Sequence, residues 1–178
     1  WAHVSLIFNP DGSKMSKRDK DKTLRAEIRT RGIDAPPVDS GIDDATWSAW
    51  LADKKSQLET THATSLADVL GIDLPEINVD DFRRGGYLPE VLVNYLSLLG
   101  WSPGGDREQF DRAFLCEQFN LDRIVKSPAK FDRAKLLAFN LDAIQAMDDD
   151  EFVVRLQAFC QLYSTEFLEV MTVHQFKV

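Results

Sequence analysis

The chain has few of the features that would assign it to a membrane, a secreted class or a metal-binding class. No apolar run among its 178 residues approaches the roughly 20 residues of a membrane-spanning helix, and no charged start followed by an apolar segment indicates a signal peptide. The two cysteines, Cys116 and Cys160, have no Cys or His partner at metal-ligand spacing. We therefore expect buried thiols, a cytoplasmic and reducing location, no membrane contact and no metal site within the chain.

Histidine and net positive charge are also scarce. The three histidines, His3, His62 and His174, are isolated, and the formal net charge of −8 has the wrong sign for a protein coated in nucleic acid. The cations are concentrated between Lys14 and Arg31, where eight of them face three carboxylates and give a local charge of +5. Any contact with RNA or a nucleotide should therefore be local. A mixed-charge helix face is the alternative that composition leaves open.

The basic loop, residues 9–18, is the most informative stretch. It follows an apolar run that predicts a strand over residues 1–8, and its Asn-Pro and Asp-Gly dipeptides predict a reversal of the chain. Three cations and two hydroxyls follow the turn, namely Ser13, Lys14, Ser16, Lys17 and Arg18. This combination suits a polyanion such as a triphosphate or an RNA backbone, although a solvated turn would have the same composition.

Helical periodicity accounts for most of the remaining chain and predicts a mostly α (α+β) fold. Helices are expected over Lys20–Arg31, Asp44–Leu58, Ser65–Leu70 and Pro89–Leu99, after Asp111, from Asp132 to Asn140, and from about Asp148. Glycines at 32, 71 and 100 are predicted to end helices, and Asp43 or Asp44, Asp111 and Asp132 to cap them. Residues 77–82 suggest a brief extended segment. Trp47 and Trp50, one turn apart, predict a packing face, with a partner-docking face as the alternative.

Four stretches resemble one enzyme family. Lys14-Met-Ser-Lys-Arg18 resembles the second signature of class I aminoacyl-tRNA synthetases. Residues 82–101, 131–140 and 1–7 are similar to segments of bacterial glutamyl-tRNA synthetases, in the family's order. Leu88 after Tyr87 favours the glutamyl branch, since the glutaminyl branch usually has Thr there.

The resemblance implies four parts. Residues 1–20 would end a Rossmann-type catalytic fold, 21–76 would be a helical insertion, 77–147 a stem-contact domain, and 148–178 the start of a helical anticodon-binding bundle. The insertion is a departure from the family, because about fifty-five residues, 21–75, separate the loop from the Tyr-Leu-Pro-Glu turn. It could restrain the loop, touch the tRNA acceptor arm, dock another protein, or be a tolerated surface insertion.

The same resemblance implies the chemistry. The partners would be ATP with Mg²⁺, L-glutamate and tRNA(Glu), in a protein that is monomeric at full length. Lys14 and Lys17 would be catalytic, with Lys17, Ser16 and Arg18 on ATP. The RNA contacts would be Arg25, Arg29, Arg31, Arg83 and Arg84.

A second departure limits what this chain can do alone. The family's His-x-Gly-His signature is absent, and the glutamate pocket would lie in the same missing half. The numbering starts at Trp1 and the first strand has no partner upstream. We therefore expect part of a longer enzyme that is inactive by itself. A stand-alone, non-catalytic RNA-binding module is the alternative. The sequence does not say whether tRNA(Gln) is also charged.

Overall fold

The chain folds into two compact units. The structure, a computed structural model, describes residues 3–173, with side chains up to residue 169. The larger unit combines the residues up to Lys14 with those from Phe82 onward. The inserted unit, Met15–Asp81, interrupts it in sequence. The division falls within the basic loop, and the four parts proposed from the sequence stay predictions.

The larger unit is helical apart from one small sheet, which confirms the mostly α class. Its elements are β1 (Ile7–Phe8), α5 (Pro89–Leu98), α6 (Arg112–Gln118), β2 (Ala129–Lys130), α7 (Arg133–Gln145), α8 (Asp149–Tyr163) and α9 (Thr165–Val173). No helix among the described residues is long and apolar enough to cross a bilayer.

The predicted first strand is much shorter than expected. Only Ile7 and Phe8 are strand, paired in parallel with Ala129 and Lys130, because only these two residues meet a partner strand. The described residues before them are not strand, and Trp1 and Ala2 lie outside the described residues.

Aromatic rings form the core of the larger unit. Phe131 is fully buried; its ring centroid lies 5.3 Å from that of Tyr95, in an edge arrangement, and 5.8 Å from that of Phe82. Helix α5 starts at Pro89, as predicted, where a missing N–H costs nothing. Its expected inward face is confirmed at Tyr95 but wrong at Leu96, which is 45% exposed.

Three helices in this unit start at aspartates, as predicted, and each aspartate caps the N-terminus of its helix. Asp111, Asp132 and Asp148 accept the backbone N–H three residues ahead at 2.7, 3.0 and 2.8 Å. The predicted helix end at Asn140 is wrong, because α7 continues to Gln145. Cys160 is buried as expected, whereas Cys116 is exposed.

The inserted unit has a core of its own. Its helices are α1 (Asp19–Arg31), α2 (Asp44–Ala52), α3 (Thr60–Leu70) and the start of α4 (Val79–Arg84), which ends in the larger unit. Trp47 and Trp50 are 2% and 1% exposed and pack with Leu24, Ile28 and Leu66. The two tryptophans are therefore core residues and offer no docking face.

Helix starts and stops in this unit follow the sequence only in part. Asp43 caps α2, and Gly32 and Gly71 end α1 and α3 in the left-handed conformation. Helix α2 ends six residues before the predicted Leu58, because Asp53 turns the chain by accepting the N–H of Lys55 at 2.8 Å.

Two further predictions in the inserted unit are wrong. Helix α3 starts at Thr60, five residues before the expected Ser65, and includes His62; Ala63, Leu66 and Ala67 bury one face. Residues 79–84 are helical where an extended segment was expected, because the Asp81 carboxylate accepts two backbone N–H groups at the helix start.

Candidate nucleotide and RNA site

The first half of the basic loop is a turn closed by its own polar groups. The Asn9 N–H donates to the Ser13 carbonyl at 2.8 Å, and the Asp11 carboxylate accepts the Ser13 N–H and hydroxyl at 2.8 and 2.7 Å. The backbone of Lys14 then bridges antiparallel to Phe8. The sequence Asn-Pro-Asp-Gly thus forms an ordered reversal that presents the Lys14 side chain to solvent.

The second half of the loop is tied to the start of α1. The Ser16 N–H donates to Asp19 Oδ2 at 2.9 Å, and the Ser16 hydroxyl accepts the Arg18 N–H at 3.2 Å. The other Asp19 oxygen accepts the Lys22 ammonium at 2.6 Å. A hydroxyl that accepts one hydrogen bond still has its own proton to donate, so Ser16 retains a donor for an anion.

Cations near the loop fall into two groups. Lys14, Lys17 and Arg18 are exposed, and within the described part of the chain none of their charged groups has a hydrogen-bond or ion-pair partner. Lys20 and Lys22, only a few residues later, are paired with Asp81 and Asp19. The positive charge that is available to a ligand therefore comes from fewer residues than the eight cations counted between Lys14 and Arg31.

Arg25, predicted to contact RNA, is instead a structural residue. It is 5% exposed, and its Nη2 donates to the carbonyls of Trp50, Asp53 and Ser56 at 2.9, 3.1 and 2.8 Å. Its guanidinium also lies 4.6 Å from the centre of the Trp50 ring. Burial lowers the pKa of Arg25, although the nearby Asp21 carboxylate opposes that effect. The RNA assignment of Arg25 is therefore corrected: its donors hold the end of α2.

The other predicted RNA-contact arginines are exposed. Arg29 has no recorded partner among the described residues, whereas Arg31 pairs with Glu27 at 3.1 Å and donates to the Leu70 carbonyl. In the larger unit, the guanidinium carbons of Arg83 and Arg84 lie 5.9 and 5.6 Å from the centre of the Tyr163 ring.

The larger unit also contains a cavity of about 530 Å³ that does not suit a nucleotide. Its walls are mostly apolar, with Ile7, Leu99, Trp101 and Phe119 among them, and no charged side chain lines it. A triphosphate needs cationic or N–H donors. No group of three or more His, Cys, Asp or Glu among the described residues could hold a metal ion.

Two side chains with structural importance near the predicted sites were missed in the sequence. Asn140 accepts the Leu88 N–H at 2.8 Å and donates to the Gly86 carbonyl at 3.1 Å, which fixes the turn before α5. Asp81 binds Lys20 across the inserted unit. Neither pairing has a short-range sequence signal, because the partners are more than 50 positions apart.

Comparison with known proteins gives matches to one family. A model of the class I tRNA synthetase catalytic domain (E and Q) matches residues 73–138. The match includes the Gly86–Leu88 turn and the first part of α7, up to residue 138, and it leaves out Asn140 and the basic loop.

Curated relatives match over different lengths. A glutamate–tRNA ligase of Amoebophilus asiaticus is 34% identical over 157 residues, 88% of this chain and 23% of that protein. Ligases of Heliobacterium modesticaldum and Carboxydothermus hydrogenoformans are 53% and 56% identical over 72 and 59 residues, 40% and 33% of this chain and 14% and 12% of those proteins. The chain thus spans less than a quarter of these relatives. The Amoebophilus match is longer than the larger unit, so it extends into the inserted unit.

Proposed function

Since this chain belongs to the class I family of glutamyl- and glutaminyl-tRNA synthetases, we propose that it forms part of a glutamate–tRNA ligase. The complete protein, a cytoplasmic monomer, activates L-glutamate with ATP and transfers the glutamyl group to the 3′ end of tRNA(Glu). This chain supplies the basic loop for ATP and a surface for the tRNA stem. It lacks the glutamate pocket and is inactive alone.

One observation carries the role of the loop: its cations are unpaired while their neighbours are paired. Lys14, Lys17 and Arg18 have no internal partner among the described residues, in contrast to Lys20 and Lys22. Charge-assisted hydrogen bonds to phosphate are among the strongest that a side chain can form. Unpaired cations on an ordered turn therefore support a site for an external polyanion.

The chemistry assigned to the loop is stabilisation of a leaving group. When a glutamate carboxylate oxygen attacks the α-phosphorus of ATP, the bond to the bridging oxygen breaks and negative charge grows on pyrophosphate. The Lys17 ammonium stabilises that charge, and Lys14 assists. The Ser16 hydroxyl and Arg18 bind phosphate oxygens. Interactions that strengthen as charge develops lower the barrier rather than only the binding energy.

Magnesium would enter with ATP as part of the substrate. Among the described residues there is no group of three or more His, Cys, Asp or Glu that could hold a metal ion, and the proposal assigns no Mg²⁺ ligand to this chain. No step assigned to these residues depends on one.

For tRNA, the proposal uses the exposed arginines that remain after Arg25 is excluded. Arg29 and Arg31 lie on α1 of the inserted unit, and Arg83 and Arg84 lie at the end of α4 in the larger unit. Exposed guanidinium groups suit phosphate oxygens. Because such contacts release counterions, tRNA affinity should fall as the salt concentration rises.

The experiment that tests the role of the loop is Lys17→Ala in the complete protein. We expect glutamate-dependent exchange of pyrophosphate into ATP to fall roughly 100-fold or more, the size seen when one donor to a developing charge is removed. Affinity for tRNA(Glu), measured by filter binding, should stay within about two-fold because one phosphate contact at most is lost.

Lys55→Ala is the matched control, since Lys55 is also an exposed lysine of the inserted unit. It should change neither exchange nor tRNA binding. Equal losses of exchange and tRNA binding in Lys17→Ala would contradict the leaving-group role, and would instead indicate a general RNA contact.

A stand-alone RNA-binding module is the second candidate, because exposed arginines could contact RNA without ATP and the cavity of the larger unit has no charged side chain for a triphosphate. Calorimetry with ATP and Mg²⁺ on this chain and on the complete gene product separates the two. Binding only by the longer protein supports half of a split ATP site. Absence of binding by both, together with an intact native mass near 20 kDa, supports the module.

A further inference from the structure

The two ends of the inserted unit are joined by an ion pair that is largely shielded from solvent. Lys20 Nζ lies 2.5 Å from Asp81 Oδ1, although the residues are 61 positions apart. The side chains are only 11% and 15% exposed. Lys20 stands two residues after the basic loop, and Asp81 is the last residue of the unit. The pair therefore connects the first helix of the inserted unit to the last residue of that unit.

Asp81 is held firmly in this arrangement. Its second oxygen accepts the N–H groups of Ile77 and Asn78 at 2.9 and 2.7 Å. Burial alone would raise the pKa of Asp81, but the hydrogen bonds from Lys20 and the two N–H groups outweigh it and leave the pKa below its ordinary value. The carboxylate is therefore ionised at neutral pH.

A short chain of contacts leads from this pair to the loop. Lys20 lies in the first turn of α1, beside Asp19. The Asp19 carboxylate accepts the Ser16 N–H at 2.9 Å, and the Asp19 N–H donates to the Ser16 carbonyl at 3.0 Å. Whatever fixes the first turn of α1 therefore also fixes the end of the loop that contains Ser16 and Lys17.

The pair is not needed to build the core of the inserted unit. That core consists of apolar side chains, mainly from three helices and including Leu24, Trp50 and Leu66, and contains neither Lys20 nor Asp81. Buried ion pairs add little stability compared with apolar replacements of similar size, and their best-attested use is to specify register. A register function suits a pair placed at the base of a long insertion.

We propose that Lys20 and Asp81 are positioning residues that hold the C-terminal end of the basic loop in its ATP-binding conformation despite the insertion. The catalytic part of this inference rests on the proposed ligase function. A long insertion costs little in loop-closure entropy, but it leaves the loop end without a fixed neighbour. The ion pair replaces the short connection that would otherwise determine the geometry.

The direct test is Lys20→Met in the complete protein, which removes the charge and keeps an unbranched side chain. Exchange of pyrophosphate into ATP should lose roughly 10- to 100-fold in kcat/KM for ATP, because a displacement near 1 Å has effects of that order. The KM for glutamate should not change. Transfer of glutamate from a preformed adenylate to tRNA should also be unchanged, since the pyrophosphate has then left.

Two variants serve as controls. Lys20→Arg keeps a cation opposite Asp81 and should retain most of the ATP-dependent rate. Lys135→Met removes an equivalent lysine from a pair of the same length, Lys135–Glu108 at 2.5 Å, which is more exposed and lies in the larger unit. It should behave as the wild type. A loss in Lys135→Met as large as that in Lys20→Met would overturn the inference.

A second readout does not depend on activity. Hydrogen exchange of the Ser16 and Asp19 amides should become at least ten-fold faster in Lys20→Met, whereas the Ile28 amide in the core helix should keep its protection. Unchanged exchange at Ser16 and Asp19 overturns the inference. If Lys20→Met does not fold, the same measurements on Asp81→Asn decide it, with the same expected and contrary results.

The failure of this inference and the failure of the proposed function give different results. A wild-type protein without glutamate-dependent exchange refutes the ligase function, while hydrogen exchange still reports on the ion pair. An active wild type in which Lys20→Met keeps its kcat/KM for ATP refutes the positioning role alone.

Discussion

The two units bury polar side chains of different kinds. Among the described residues of the larger unit, the buried polar side chains are the neutral amides of Asn94 and Asn140, and the Tyr95 hydroxyl is a further neutral group, bonded to the Asp132 backbone. In the inserted unit they are mainly charged: Asp19, Lys20, Asp21 and Arg25 all lie in the first two turns of α1. Among the described residues, every buried charged side chain belongs to that short segment.

Each buried amide of the larger unit holds a loop through hydrogen bonds that do not depend on the other amide. Asn94 donates to the Glu108 carbonyl at 2.9 Å and accepts the Phe110 N–H at 3.1 Å. Asn140 makes the same kind of double contact at the Gly86–Leu88 turn. Each amide pairs with one backbone N–H and one backbone carbonyl. The loss of one asparagine therefore leaves the contacts of the other in place.

The charged groups of the inserted unit depend on one another. Asp21 accepts the Trp50 indole N–H at 2.7 Å and the Leu58 N–H at 3.0 Å, and it lies one turn before Arg25. Removing either charge leaves the other buried without its counter-charge, which is costly. The comparison teaches that single substitutions should harm the inserted unit more than the larger one.

The largest effect is expected for Arg25→Met. It removes the donors to the carbonyls at the end of α2 and a positive charge that interacts with the buried Asp21 carboxylate. We expect the free energy of unfolding to fall by about 3–5 kcal/mol, since several backbone carbonyls lose their donor at once and each unsatisfied buried group costs about 1–3 kcal/mol. Urea unfolding followed by tryptophan fluorescence measures it. Arg29→Met, an exposed change on the same helix, should stay within about 0.5 kcal/mol. A loss below about 1 kcal/mol in Arg25→Met would remove the distinction between the units.

A smaller effect is expected for the neutral counterpart, Asn140→Ala. The Leu88 N–H and the Gly86 carbonyl lose their partner, at about 1–3 kcal/mol for an unsatisfied buried group. We expect a total near 2–3 kcal/mol by thermal or urea unfolding. Gln145→Ala changes an exposed amide of the same helix and should be nearly neutral. A loss larger than that of Arg25→Met would reverse the comparison.

The same contrast explains which features the sequence could predict. Helix caps depend on atoms within three or four residues, so Asp43, Asp132 and Gly71 were identified from local pattern alone. Asn140 and Asp81 were not, because their partners lie 52 to 61 positions away. The helix over residues 79–84 has a local cause that the prediction missed, since Asp81 accepts the N–H groups of Ile77 and Asn78 at its start.

The residues of the candidate site also differ in whether local sequence signals could predict their roles. The cations of the basic loop were located by the turn dipeptides before them, which are local signals. Arg25 was misassigned because its charge resembles that of Arg29. One signal was available: Arg25 lies between Leu24 and Ile28, one turn after Asp21, on the edge of the apolar face of α1. An arginine at such an edge with a carboxylate one turn away suits a buried role.

The smallest effect is expected for Tyr95→Phe in the larger unit. The Tyr95 hydroxyl accepts the Asp132 N–H at 2.6 Å and donates to the Asp132 carbonyl at 2.8 Å, at the cap of α7. Loss of these bonds at a partly accessible cap should cost about 1–1.5 kcal/mol at neutral pH, measured by urea unfolding. A loss above about 3 kcal/mol would mean that a neutral contact is as critical here as the buried charges of the inserted unit.

Alkaline pH sharpens the comparison, because it would turn this neutral contact into a buried charge. Burial raises the pKa of Tyr95 to about 12, against the opposing hydrogen bond from the Asp132 backbone. A folded pKa above the unfolded value of about 10 means that the stability gained is complete below pH 10 and is lost as the pH rises towards 12. The wild type should therefore lose stability more steeply than Tyr95→Phe over that range, while lysine deprotonation affects both equally. Parallel curves would mean that the phenol ionises as freely in the folded protein as in the unfolded chain.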